Sequence, residues 1–281
     1  MKDIVYLNGK FVHINDAHIS VLDRGFLYGD GVYEVIPSYN EQFFGLASHM
    51  QRLKRSLEAT KIPMPDVDFE ETFNACREKN NSPDDAIYCQ ITRGAGPARV
   101  LLAPDKLTPT VFIGCFSAPL QPTDGINKGV HAITTPDARW QHCNIKAITL
   151  LPNVLSRIAA ADQDAIEAIM IRDGLVTECC ASNVFIVKNN TIMTPPKSNH
   201  ILGGITREFI IELANANNMA CQETNITEDE LSIADEIWIT SSTRGISPVV
   251  SLNNKPVGTG NAGPLWAKMA AILQQYEKTD R

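Results

Sequence analysis

The chain has 281 residues, 44% of them apolar and 20% charged, with a formal net charge of -7, which is the profile of a globular protein with volume for one large or two ordinary domains. Net acidity without a basic stripe argues against nucleic acid as a partner, no segment approaches the roughly 20 apolar residues of a membrane span, and the start MKDIVYLNGK lacks the apolar core of a secretory signal, so a cytoplasmic protein is expected. Seven cysteines, an odd number without a C-x-x-C pair, read as reduced thiols rather than a disulfide framework or zinc ribbon.

In chain order, "VYLNGKFVHI" predicts a hairpin over Asn8-Gly9, and "GVYEVIPSY" a continuous strand. "SHMQRLKRSLEATK" has a capping-box pattern in Ser48 and Gln51, with Met50, Leu53 and Leu57 at helical spacing, so a helix is expected to begin near Ser48. "DFEETFNACREKN" predicts another helix, and "AIYCQITRG" and "TVFIGCF" two buried strands. The proline-rich "SAPLQPTDG" marks a boundary, giving an amino-terminal domain over 1–118, a linker over 119–124 and a carboxy-terminal domain over 125–281. Beyond it, "EAIMIRDGLVTECC" and "NVFIVKNNTIMTP" predict hairpins over Asp173-Gly174 and Asn189-Asn190, together a meander of at least four strands. "TREFIIELANANN" reads as a helix, "TEDELSIADE" as one opened by a Thr227/Glu230 capping box, and "EIWITSS" as a strand.

The common nucleotide, zinc-protease, serine-hydrolase and calcium motifs are absent, and His13, His18, His49, His131, His142 and His200 are too scattered to read as metal ligands. No metal is expected. What remains begins with "HCNIKAITLLPN", where Lys146 sits among apolar residues although an isolated buried ammonium is costly. Glu178 lies at the end of a predicted hairpin strand before small residues, and "ILGGITREF" places two glycines and a threonine directly before a helix, a ready anion site. Taken singly, these are a snorkelling lysine, a solvated strand residue and an ordinary helix start. Together and in order they meet the needs of pyridoxal phosphate: an amine for a Schiff base, an acid partner for the ring nitrogen and donors for the phosphate.

"VLDRGFLYGDGVYEV", "HMQRLKRSL", "NIKAITLLPNVLSR", "LVTECCASNVFIV", "LGGITRE" and "DEIWITSSTRGISPV" resemble, in this order and from about residue 4 to 270, the motifs of the fold type IV (class IV) pyridoxal phosphate-dependent enzymes. The resemblance implies a mixed α/β (α+β) fold with a small amino-terminal α/β domain and a larger carboxy-terminal pseudo-barrel α/β domain. It implies that Lys146 is the Schiff-base lysine and proton shuttle, that Glu178 faces the pyridine nitrogen, and that Arg52 binds the phosphate with the backbone of Ile205 and Thr206. Ser242 would add a hydroxyl, and Leu202 would pack against the ring. A lysine engaged as an imine carries no free ammonium, which makes its apolar setting tolerable.

Within the group, "DRGFLYGDGVYEVIPSY", "NIKAITLLPNVL" and "TSSTRGISPV" look most like D-amino acid aminotransferases, in which the tyrosine matching Tyr33 helps hold the substrate carboxylate. In those enzymes an arginine followed two residues later by histidine completes the carboxylate trap. Here "TRGAGPARVLLAP" is one residue longer and gives Arg99 with Leu101 in the histidine position. "VTECCASN" resembles instead some 4-amino-4-deoxychorismate lyases, with Cys179 and Cys180 as packing residues. A branched-chain amino acid or amine transaminase stays open, as does a non-catalytic binding protein of this fold. The partners implied are amino acid and 2-oxo acid substrates and a second copy in a homodimer.

Overall fold

The computed structural model describes residues 1–39, 41–117 and 129–279. These divide into two compact units, residues 1–117 with 145–149 and residues 129–144 with 150–279. The expected linker, 119–124, lies outside the described residues.

In the first unit β1 (Ile4–Leu7) and β2 (Lys10–His13) form the expected hairpin, with Leu7 opposite Lys10. Asn8 and Gly9 both take positive φ, 48° and 93°, as a two-residue hairpin turn matched to strand twist requires. Helix α1 (Arg24–Tyr28) is capped by the Asp23 carboxylate and ends at Gly29 in the left-handed region. Strand β3 (Gly31–Ile36) stops at Pro37, and the expected continuous strand is instead broken: β4 (Ser38–Tyr39) pairs with β5 (Gln42–Phe43). Proline has no N–H to continue a ladder.

Helix α2 (Leu46–Thr60) begins at Gly45, a left-handed residue with no capping side chain, so Ser48 lies within the first turn and is not the cap. Helix α3 (Phe69–Lys79) is capped by Asp68, and β6 (Ala86–Thr92) and β7 (Thr110–Phe116) complete an antiparallel sheet in the order β2-β1-β7-β6-β3. Leu53, Leu57, Phe73 and Cys76 from the helices pack on Val32, Ile36, Ile87, Ile91 and Ile113 from the strands.

The second unit contains β8 (Val130–Pro136), α4 (Leu151–Ala161), β9 (Glu167–Arg172), β10 (Leu175–Cys179), β11 (Asn183–Lys188) and β12 (Thr191–Thr194). It continues through α5 (Ile205–Ala216), β13 (Cys221–Glu223), α6 (Glu228–Ser232), β14 (Glu236–Ser241), β15 (Gly245–Leu252), β16 (Lys255–Pro256) and α7 (Pro264–Thr279). Its mixed sheet runs β10-β9-β8-β15-β14-β11-β12-β13, with β16 on β15. Both predicted hairpins form, but the four-strand meander does not: β11 pairs with β14, and the far side of β10 meets residues 226–227. A tight turn closed by Cys179 N–H on the Ser182 carbonyl at 2.7 Å redirects the chain between the hairpins. The Thr227/Glu230 capping box opens α6 as expected.

The fold is mixed α/β, all seven cysteines are free, and no helix among the described residues is long and apolar enough to cross a membrane. Phe73 is fully buried between Phe43 and Phe69. Phe73→Ala is therefore expected to lower the free energy of unfolding by about 3–5 kcal/mol through lost transfer energy and a residual cavity, read as a fall in the urea midpoint at unchanged m-value.

Candidate active site

Strand β3 is the last in its sheet, and residues 145–149 are laid along its outer side. Tyr33 N–H donates to the Lys146 carbonyl at 3.0 Å, Ile148 N–H donates to Gly31 at 3.1 Å, and Val32 bridges Ala147. The Lys146 N–H reaches Ser56 Oγ on α2 at 3.3 Å. Both backbone groups of the lysine are thus tied, and its Nζ stands 4.2 Å from the centre of the Tyr33 ring. The structure brings Tyr33 and Lys146 together, and the half-buried lysine head rests on an aromatic face.

Directly beneath, Glu34 is fully buried and holds one cation, Arg52, and one imidazole, His49. Arg52 donates from Nε to Oε1 at 2.7 Å and from Nη2 to Oε2 at 2.8 Å, and His49 Nδ1 lies 2.8 Å from Oε2. Burial opposes the charge on Glu34, but Arg52 and His49 overcome it and hold the carboxyl far below its ordinary value of 4.5. An ionised carboxylate only accepts, so His49 presents Nδ1–H to it. Burial pushes the His49 pKa down from 6.5, Glu34 opposes that, and the charges of Arg52 and Lys146 add to the fall. Glu34 and His49 were missed in the sequence, although His49 precedes Arg52 by one helical turn and Glu34 sits on the core-facing alternation of its strand.

In the second unit Glu178 lies in a β-bulge: Val176 opposes Ile171 while Cys179 opposes Ile169, so β10 carries one extra residue across Thr177 and Glu178. Glu178 is 5% exposed, which removes the solvated-strand reading. Arg139 donates to its Oε1, while Asn183 Nδ2 and Leu202 N–H donate to Oε2 at 3.1 and 3.0 Å. Arg139 is itself braced by Asp137 at 2.9 Å, and Arg172 pairs with the same aspartate at 3.1 Å. Arg139 and its hydrogen bonds hold Asp137 below its usual range against burial. Asp137, Arg139 and Asn183 carried no motif in the sequence. Cys179 and Cys180 are buried, and burial beside Glu167 raises the Cys180 thiol to about 12, so it packs as a neutral group.

Leu202 leads into α5, whose N-cap is Gly204 with no capping side chain. The N–H groups of Ile205, Thr206 and Arg207 thus leave the helix without an intrahelical acceptor, at its positive end. A Cβ on Gly204 would meet Asn183 Oδ1 at 2.0 Å, so only glycine lets Asn183 serve both Glu178 and the Leu202 carbonyl. Ser242 occupies the turn joining β14 to β15. Arg99 is exposed in the loop between β6 and β7, its guanidinium 5.7 Å from the centre of the Tyr28 ring rather than on Tyr33.

A profile of the amino-transferase class IV family matches residues 31–252. The chain belongs to the class IV aminotransferases. A D-alanine aminotransferase of Bacillus licheniformis is 38% identical over 273 residues, covering 96% of this chain and 95% of the relative. That of Staphylococcus haemolyticus is 34% identical over 275 residues, covering 97% of each. Among solved structures, a T.th. branched-chain amino acid aminotransferase with pyridoxamine 5'-phosphate has a TM-score of 0.92 at 25% identity, covering 100% of this chain and 96% of its own. The Escherichia coli branched-chain enzyme scores 0.90 at 27% identity, covering 98% and 94%. This class IV aminotransferase is thus an enzyme of a family that implies pyridoxal phosphate; in the first unit the tied lysine and the buried cation, and in the second the uncapped helix and the buried carboxylate, are each of a chemistry that fits the group.

The pH dependence of stability follows from His49. Because its folded pKa lies below 6.5, the unfolded chain takes up a proton that the native chain refuses, so stability is full above that value and falls as the pH drops through it. Glu34, with a depressed pKa, adds a second loss as the pH falls through 4.5 and below. His49→Asn, which keeps a donor near the Nδ1 position, is expected to remove most of the first slope, at most about 1.4 kcal/mol per pH unit, and to keep the second. Urea unfolding between pH 7.5 and 4 measures both.

Proposed function

We propose that this aminotransferase is a cytoplasmic homodimer that exchanges an amino group between a D-amino acid such as D-alanine and a 2-oxo acid such as 2-oxoglutarate. The observation that carries the reading is similarity to D-alanine aminotransferases across 94–97% of the chain, combined with a lysine whose backbone is pinned on both sides. The exposed apolar row of Leu151, Val154, Leu155 and Ile158 along one side of α4 supports assembly with a second copy.

When bound, pyridoxal phosphate supplies an electron sink for the bond broken at the substrate's α-carbon. Lys146 would hold it, and once the substrate amine takes its place the freed Nζ would remove the α-proton and return a proton on the way to the 2-oxo acid. The Ser56 contact fixes the backbone of Lys146 and the Tyr33 ring lies under its Nζ, so little orientation is lost in each proton transfer. Arg52, aimed by Glu34 and His49, and the N–H groups of Ile205 and Thr206 balance the phosphate charge, with Ser242 adding a hydroxyl. Glu178 keeps the ring nitrogen protonated, and Arg139 and Asn183 hold that carboxylate in one orientation. Leu202 packs on the ring, and Tyr33 and Arg99 take the substrate carboxylate.

Holoenzyme mixed separately with D-alanine, L-leucine and 4-amino-4-deoxychorismate tests the reading. Loss of the visible cofactor band with D-alanine alone is expected, with Lys146→Ala slowing that loss by at least about a thousandfold. Loss with L-leucine alone would establish a branched-chain transaminase instead. Pyruvate released from the chorismate derivative, with the band restored, would establish the lyase.

A further inference from the structure

The loop carrying Arg99 is exposed at its side chains yet held firmly through its backbone. Leu101 and Leu102 are 82% and 87% exposed. The stem is tied to the start of α1: Arg24 N–H donates to Gly94 at 3.0 Å, Gly96 N–H donates to Leu22 at 3.3 Å, and Asp23 bridges Ala95. The far limb is tied by one side chain. Arg24 is 5% exposed and donates from Nη1 to the Val100 carbonyl and from Nη2 to the Leu101 carbonyl, both at 2.7 Å.

The third donor, Nε, binds Asp30 Oδ2 at 2.8 Å. Asp30 is also clasped by Arg93 at 2.7 and 2.9 Å, and Arg93 is anchored on the carbonyls of Thr60 and Lys61 at the end of α2. The guanidinium of Arg24 is therefore fixed from the unit's interior and presents a rigid fork to two consecutive loop carbonyls. The same residue lies over the Tyr28 ring at 4.8 Å, the ring on which Arg99 also rests.

We propose that Arg24 is a positioning residue that sets the backbone of loop 95–102, and with it the place of Arg99, for the carboxylate of the substrate. The inference rests on the reading of Arg99 as a carboxylate ligand. Two parallel donors in a fixed plane give the loop one backbone setting, and a lysine at the same place keeps the charge but loses the fork. Because residues 99–102 direct their side chains outward, no apolar packing of their own duplicates this hold.

Two measurements on holoenzyme test it. In Arg24→Lys, hydrogen–deuterium exchange of loop 95–103 is expected to quicken by roughly tenfold or more while α2 exchanges as in the parent. Asp30 keeps its partner Arg93 in this variant, and Arg24→Gln serves as a second substitution if the lysine variant folds poorly. The KM for D-alanine is expected to rise about tenfold with kcat changed less than about twofold, because the loss falls on binding rather than on the proton transfers. Arg99→Ala should raise KM likewise, and the double variant Arg24→Lys/Arg99→Ala should be no worse than Arg99→Ala alone, since both act through one contact. Unchanged loop exchange, or KM effects that multiply in the double variant, would overturn the proposal. Faster loop exchange with no KM effect from Arg99→Ala would support the hold of Arg24 on the loop and remove the carboxylate role of Arg99.

Discussion

A strand at the end of a sheet leaves a row of backbone donors and acceptors that must find partners. In this protein the row along β3 is met by residues 145–149, through Tyr33 to Lys146, Ile148 to Gly31 and the bridge of Val32 with Ala147. The segment bearing the proposed Schiff-base lysine is thereby held by the same hydrogen bonds that close the sheet. Alternation along β3 does the rest: Tyr33 faces the lysine, while Glu34 faces the core and holds Arg52 and His49. One short strand sets the geometry of amine, aromatic ring and buried cation.

Each unit contains a buried charge network beside the proposed ligands, Glu34–Arg52–His49 in the first and Asp137–Arg139–Arg172–Glu178 in the second. Desolvation makes such clusters poor sources of stability compared with apolar packing of similar volume. Their value lies in orientation, since every charged group is met by opposite charge and by donors in fixed directions. The bulge at Thr177–Glu178 and the bare N-cap at Gly204 are further local departures from regular geometry, and both lie beside proposed ligands of the cofactor.

Proteins named for D-alanine and for branched-chain amino acids resemble this chain over nearly its full length. A shared backbone therefore does not choose among amino acid substrates. In the reading proposed for Arg99, choice resides in the loop after β6, which presents Arg99 and an exposed leucine at position 101 on a backbone held by Arg24.

The hairpins at Asn8-Gly9, Asp173-Gly174 and Asn189-Asn190, the capping box at Thr227 and the succession of motifs around Lys146, Glu178 and Gly204 were legible in the sequence. Each is a local matter, since turn chemistry, capping and helix-end polarity are decided within a few residues. The separation of β10 from β11 was not, because strand pairing depends on which distant edge is available. Nor did the sequence reveal that Glu34 and His49 stand beneath Arg52, that Arg139 and Asn183 grip Glu178, or that Arg24 reaches the carbonyls of residues 100 and 101. Residue types in local motifs, through the resemblance of their succession to a known family, pointed to that family. Only the tertiary structure decided which side chains orient the reacting ones, because a buried charge takes its partner from whatever the fold brings within about 3 Å.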